Sequence, residues 1–407
     1  MKLLLLTAGT RGDVEPFAAL ARHAVRSGAE VALGVPDEAV AGLADVDAFG
    51  LGVDFSRLVG AQGVSPLAAA RAVRTTVRPG MRRMLSSAVR AVLEHRPDVV
   101  VHHPKVLTAP RAADAVGVPH VVVETVPTLT PTRAFPMPGT TARDLGPLNP
   151  LTYRAASAAA RLFAREVAEA CAPLGGAGAG RAPSPAAASL VPVSPHLLPP
   201  PADWPASVVT TGAWTSPGRS PEPGPAVREF LDAGPFLYAG FGSMAAGDPV
   251  HRARAVVAAA RAHGLRTLLV TGWGGLEQPR GERAPDVLAV PAVPHDAVLP
   301  RASVAVHHGG AGTVHAVARA GVPSVVVPFT ADQPFWAALL HRRGLASRPV
   351  RPRHLDTAPL TAAVAQAQAC HRTAQEVARA VRTDRGAEEA LRVLERVVRA
   401  GGGGVSR

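Results

Sequence analysis

A crowd of prolines near the middle of this 407-residue chain separates two stretches that carry the same structural rhythm. Pro195, Pro199, Pro200, Pro201, Pro205, Pro217, Pro221, Pro223 and Pro225 all fall within residues 194–234. Proline fixes φ and lacks the backbone N–H, so this density predicts an interdomain linker rather than helix or sheet. On either side, short apolar runs alternate with helical patterns. Before the linker the runs are 2–7, Glu30–Val35, Asp98–Val101 and Val118–Val123. A helix over roughly Pro16–Ser27 sets Phe17, Leu20, Ala24 and Val25 on one face. After the linker come Phe236–Phe241, Leu265–Val270, Val287–Val290, Ser303–Val306 and Ser324–Val327, with a helix over Val250–His263. Strands alternating with helices predict parallel, doubly wound sheets. The expected architecture is α/β, with two Rossmann-like domains, 1–193 and 235–407, facing a cleft. The final helical pattern, Ala374–Val398, is broken near Gly386, and its last helix is expected to pack back on the first domain. Ligands of such sheets bind beyond the carboxyl ends of the strands, so the loops there are where chemistry is sought.

Composition narrows the setting. Apolar residues make up 47% of the chain, enough for two cores. Cys171 and Cys370 are the only cysteines, which predicts a reducing cytoplasm and no disulfide framework. The run Leu3–Leu6 is too short for a signal core or a membrane span, so no membrane insertion is expected. The net charge of +12 raises nucleic-acid binding, but the basic residues are scattered and aromatics are only 4%, so a solvated surface is expected instead. Lysine occurs only at Lys2 and Lys105.

Four loops hold the candidate chemistry. His307-His308-Gly309-Gly310-Ala311-Gly312-Thr313 follows a strand and opens a helix. Its glycines allow close backbone approach, and a helix start offers free N–H groups and partial positive charge to a diphosphate. His307 or His308 adds a directed hydrogen bond or a full positive charge; a plain tight turn capped by Thr313 is the simpler alternative. Ala331-Asp332-Gln333-Pro334 follows the next strand, and Asp332 with Gln333 suits a sugar's vicinal hydroxyls, although Asp332 also suits a helix cap. Ser243, after the first strand of the second half, can donate to a phosphate oxygen. In the first half, Asp13 lies in the turn Thr7–Pro16, where a carboxylate can take a proton from an attacking hydroxyl, cap the following helix, or do both. Thr10 and Arg11 in that turn, with His102 and Glu124 at strand ends, are candidates for acceptor contact, and His103 shares the position of His102. His23 and His315 fall within helices and read as structural. Asp45-Val46-Asp47 has cation-binding spacing but reads as a surface loop.

Taken in order, T-x-G-T-R-G-D-V-E-P, W-P with T-G-x-W, G-F-G-S-M, H-H-G-G-A-G-T and D-Q-P-F-W resemble glycosyltransferase family 1, most of all its bacterial natural-product branch with the glycopeptide, macrolide and sterol enzymes. The resemblance implies a glycosyltransferase B fold and an inverting, metal-independent transfer of a hexose or deoxyhexose. The donor would be a UDP- or dTDP-sugar and the acceptor a hydroxyl of a small natural product, with no other cofactor. By position, Asp13 matches the general base, where plant relatives carry histidine. His307, Gly309, Gly310, Gly312, Thr313 and Ser243 match the diphosphate site, Asp332 and Gln333 the sugar site, and Val293 and His295 the segment along the base. Plant relatives stack a tryptophan on uracil where Ala292 stands here, so uracil and thymine both stay open. Residues 50–80 and 125–150, which shape the acceptor pocket in that family, match no pattern. A nucleotide-sugar 2-epimerase and a catalytically silent auxiliary protein are the alternatives; the intact D-Q pair and Asp13 favour transfer.

Overall fold

The computed structural model describes residues 1–55, 71, 73–175, 182–216, 222–242, 244, 247–272, 275–278 and 284–402. Seven parallel strands form the first sheet: β1 (Lys2–Leu6), β2 (Glu30–Val35), β3 (Asp47–Gly50), β4 (Val99–His102), β5 (His120–Val123), β6 (Ala188–Val191) and β7 (Val208–Thr210), in the order β3-β2-β1-β4-β5-β6-β7. The second sheet has five: β8 (Phe236–Gly240), β9 (Arg266–Val270), β10 (Val287–Val290), β11 (Val304–His307) and β12 (Ser324–Val326), in the order β10-β9-β8-β11-β12.

Both faces of each sheet are covered, which is why the strands read as unbroken apolar runs. In β1, Leu3 and Leu5 point to one core with Phe17 and Leu20 of α1 (Arg11–Arg26), while Leu4 and Leu6 point to another with Met84 and Leu85 of α2 (Arg78–His95). Burying a leucine of this kind stabilises by roughly 2 kcal/mol. The last helix, α6 (Gly386–Gly402), follows the second sheet but packs on the first domain, where Ala390, Leu391 and Leu394 join Phe17.

The proline-rich segment is not wholly a linker. Val208-Val209-Thr210 lies between its prolines and pairs with β6 as an edge strand, the one place a sheet tolerates flanking proline. Pro225 then opens α3 (Pro225–Asp232) at the first helical turn, where a missing N–H costs nothing. Strand β3 also went unread, because its single turn of apolar sequence follows the acidic Asp45–Asp47 stretch; Asp45 is held by Arg22 at 2.8 Å.

The order reverses between β1 and β4 in the first sheet and between β8 and β11 in the second, so each domain has a switch point at which loops part to leave a crevice. Between the domains runs an apolar seam. Phe135 and Tyr153 of the first meet Val314, Phe335 and Trp336 of the second, with the rings of Phe135 and Phe335 5.0 Å apart.

Candidate active site

At the first switch point the chain leaves β1 and turns into α1 through Thr7–Thr10. Gly9 adopts φ +141°, and a Cβ there would sit 1.9 Å from Asp13 Oδ2, so the turn closes over the carboxylate only because it lacks a side chain. Asp13 occupies the first turn of α1 and its Oδ2 accepts from the Thr10 N–H at 3.0 Å, which satisfies a free helix donor. The same oxygen accepts from Lys105 Nζ at 3.1 Å. Oδ1 lies 3.2 Å from His103 Nε2 and 3.5 Å from Thr125 Oγ1. Helix cap and candidate base are therefore one group.

The tautomer of His103 follows from its other nitrogen. Nδ1 accepts from the Lys105 N–H at 3.1 Å, so the neutral ring carries its proton on Nε2 and donates it to Asp13. Burial pushes His103 below its ordinary pKa, although Asp13 pulls it back up. For Asp13 burial acts upward, but Lys105 and His103 more than offset it and hold the carboxyl far below the usual range.

Two acceptor candidates are corrected. His102 ends β4 and His103 follows it, and the two side chains take opposite sides. His103 takes the side of Asp13 and Phe17. His102 turns into the interior, where its Nε2 lies 3.1 Å from His120 Nδ1, and burial pushes it down to about 3. Glu124 is completely buried and bonds to the backbone N–H of Leu129 at 2.6 Å and to the hydroxyls of Thr130 and Ser189 at 2.7 and 2.8 Å. Its carboxylate folds the loop after β5 and is not presented to an acceptor. Thr10 precedes α1 and is exposed, and Arg11 is largely solvated beside Glu15 at 3.2 Å.

At the second switch point, β11 ends at His307 and the glycine turn leads into α4, as we number the helix Ala311–Ala320. Gly309 has φ +87° and Gly310 precedes the first helical residue, so Gly312 and Thr313 lie in the first turn, whose N–H groups lack intrahelical acceptors. A Cβ on Gly312 would meet open space, which leaves the backbone approachable. His307 is fully buried. Its Nδ1 accepts from the Gly309 N–H at 3.1 Å, so the ring proton sits on Nε2, a buried donor with no partner among the described residues. Burial, with His308 and His295 nearby, pushes His307 down to about 3. Of the two roles expected of this histidine, the directed hydrogen bond fits and the full positive charge does not. Burial likewise keeps His308 below its ordinary pKa. Ser243 lies outside the described residues.

In the loop after β12, Gln333 opens α5 (Gln333–Arg342). Its Oε1 accepts from the N–H of Phe329 at 2.7 Å and of Thr330 at 3.1 Å, and its Nε2 lies 3.5 Å from Met244 Sδ. It thus braces its own loop. Asp332 accepts from Trp336 Nε1 at 2.7 Å through Oδ2. Burial raises the Asp332 pKa against this bond, and the charge of Asp13 adds to the rise. Ala331 just before it holds φ +54°, a left-handed conformation costing a non-glycine residue about 1 kcal/mol. Val293 is half-buried beyond β10, and His295 Nε2 lies 3.0 Å from the Tyr238 hydroxyl. Burial, and then the charge of Arg11, lowers the His295 pKa.

The structure thus gathers Asp13, Thr10 and Arg11 on one wall, and Asp332, His295, His307 and the glycine turn on the other. Sequence reasoning missed Lys105 and Trp336, and did not separate His103 from His102. Lys105 had a signal: it is one of two lysines in a chain that otherwise uses arginine, and it sits just past a strand end. Among the described residues, no group of three or more His, Cys, Asp and Glu could hold a metal ion, and no helix is long and apolar enough to cross a membrane.

Comparison with known proteins agrees with this geometry. Residues 277–395 match the family model described as "Erythromycin biosynthesis protein CIII-like, C-terminal domain". The chain is 34% identical to O-mycaminosyltylonolide 6-deoxyallosyltransferase of Streptomyces fradiae, over 97% of each chain. It is 31% identical to vancomycin aglycone glucosyltransferase of Amycolatopsis orientalis, over 98% of each. Among solved structures, the glycosyltransferase of kitacinnamycin superposes with a TM-score of 0.72 at 23% identity, over 98% of this chain and 99% of that one. Two parallel-sheet domains set face to face in this way are the glycosyltransferase B fold. The chain belongs to the glycosyltransferase family that includes these macrolide and glycopeptide enzymes.

Proposed function

We propose that this glycosyltransferase moves a hexose or deoxyhexose from a UDP- or dTDP-sugar to a hydroxyl of a small natural product, with inversion, without a metal ion, and in the cytoplasm. The observation that carries the reading is the pairing of two unfinished hydrogen-bonding groups on opposite walls. One is Asp13, an acceptor whose partners leave its side chain partly exposed, and the other is His307 Nε2–H, a buried donor without an acceptor among the described residues. An unpaired buried donor costs about 1–3 kcal/mol, which a phosphate oxygen would recover.

The acceptor hydroxyl attacks the anomeric carbon on the side opposite the diphosphate, and its proton passes to Asp13 as the new bond forms. A depressed carboxylate is a weak base for a free alcohol, and it acts here because the hydroxyl becomes acidic in the transition state. Charge building on the leaving diphosphate is met by the N–H groups at the start of α4 and by His307. Asp332, fixed by Trp336, takes hydroxyls of the donor sugar.

The test is calorimetric titration with UDP and dTDP, with and without EDTA, on wild type and His307→Ala. Binding of one nucleotide that survives EDTA and weakens about tenfold in the variant, one lost hydrogen bond, is expected. Equal binding by wild type and variant would remove His307 from the donor site. An Asp13→Asn enzyme that still transfers sugar at the wild-type rate would remove the base.

A further inference from the structure

The carboxylate of Asp13 is crowded by donors from three described loops. The β1–α1 turn supplies the Thr10 N–H, the loop after β4 supplies His103 Nε2–H and the Lys105 ammonium, and the loop after β5 supplies Thr125. The second domain adds Asp332, a carboxylate whose pKa the charge of Asp13 helps to raise. Of these groups only Lys105 brings a fixed positive charge, because His103 is neutral with its proton shared toward Asp13. The histidines of the opposite wall, His295, His307 and His308, are held below their ordinary pKa values by burial. When the cleft fills, Asp13 and Asp332 must coexist with a nucleoside diphosphate.

We propose that Lys105 is a positioning residue for glycosyl transfer, the counterion that keeps Asp13 ionised and correctly oriented while a second carboxylate and the anionic donor occupy the same cleft. This rests on the reading of Asp13 as the base. The side chain is suited to the task. Its ammonium lies 3.1 Å from Oδ2 and 5.9 Å from the centroid of the Phe55 ring, and it remains 45% exposed. Thus Lys105 can stay paired without being entombed. Oδ2 is also the oxygen that caps α1, so ammonium and backbone together set the carboxylate plane, and Oδ1 is left with the weaker partners His103 and Thr125. Lysine rather than arginine is used in a chain where arginine is the rule. A compact point charge can sit on one oxygen, whereas a guanidinium would bridge both and block the hydroxyl.

The experiment measures the pH profile of kcat/KM for sugar transfer by wild type, Lys105→Met, Lys105→Arg and Asp13→Asn, with nucleotide affinity by calorimetry on each. Lys105→Met is expected to move the acidic limb upward by about one to three pH units, the effect of losing an opposite charge at this distance. Nucleotide affinity should stay within twofold, showing that the fold and donor site are intact. Lys105→Arg is expected to keep the acidic limb but lower kcat at all pH values. An acidic limb unmoved in Lys105→Met, with Asp13→Asn inactive, overturns the role of Lys105 and leaves the base assignment standing. Activity retained in Asp13→Asn overturns the base assignment itself.

Discussion

Gly9 makes no bond to any ligand in the reading above, yet its replacement should disable the enzyme. With φ +141° and a Cβ that would fall 1.9 Å from Asp13 Oδ2, 2.5 Å from Asp13 Cγ and 2.7 Å from Lys105 Nζ, alanine at this position meets the whole carboxylate–ammonium pair. Real Cβ atoms essentially never approach closer than 3.0 Å, so the carboxylate must retreat by more than about 1 Å. The retreat breaks the Thr10 cap and the Lys105 contact together, and a misplacement of this size costs on the order of a hundredfold in rate. The backbone conformation adds about 1–2 kcal/mol of strain, felt as a lower melting temperature rather than as lost chemistry. Gly12 gives the control: its Cβ would find only Thr10 Oγ1, at 3.9 Å, so Gly12→Ala should be as active as wild type. The assay is steady-state transfer by mass spectrometry, with nucleotide titration to show that the donor domain is untouched. A Gly9→Ala enzyme that folds and keeps kcat within threefold of wild type would refute the claim that Asp13 must stand where it does.

Trp336→Phe keeps the buried ring but removes the N–H that holds Asp332, and it should raise the KM of the nucleotide sugar about tenfold while leaving the affinity for the free nucleotide unchanged; paired donor kinetics and calorimetry check this. Glu124→Ala strips four donors of their acceptor in a buried site, and it should lower stability by roughly 2–3 kcal/mol, measured by chemical unfolding of the first domain's signal. Acidification should destabilise the protein early. His102 and His307 are held neutral at about 3 in the fold against an unfolded value near 6.5, so their contribution is complete above pH 6.5 and declines as the pH falls toward 3. Between pH 6.5 and 5 each loses about 2 kcal/mol, and unfolding midpoints that are flat over this range would contradict their neutral burial.

Much of this architecture was legible because the chain repeats one signal. Leu3–Leu6 and Val304–Val306 are buried on both faces, so they appear as continuous apolar runs whichever way the strand is turned. Strands β3 and β7 escaped notice for the opposite reason. They lie at the edges of the sheet, need burial on fewer sides, and sit among acidic residues or prolines that carry the stronger local message. The glycine turn from β11 into its helix was legible because its conformation is a backbone property, fixed by residues that lack side chains. The charge state of His307 was not, since nothing local in the sequence distinguishes a solvated imidazole from one sealed beneath a strand end.

The environment of Asp13 marks the boundary more sharply. Its capping role is local, three residues from Thr10, and could be read from spacing alone. His103 and Lys105 lie ninety or more residues away and arrive beside it because β1 and β4 are neighbours at the switch point of the sheet. Sequence placed a histidine pair at the end of β4, but two adjacent residues where a strand ends differ only in which side they take. That choice is decided by the register of the sheet, Leu6 opposite His102, and by the core that claims each face. Once the register is set, His102 is committed to the interior with His120, and His103 is left as the neighbour of the carboxylate. The same step brings Lys105 over Asp13. The fold thus supplies two groups to the carboxylate through a single strand pairing, and a change in that register would remove both at once.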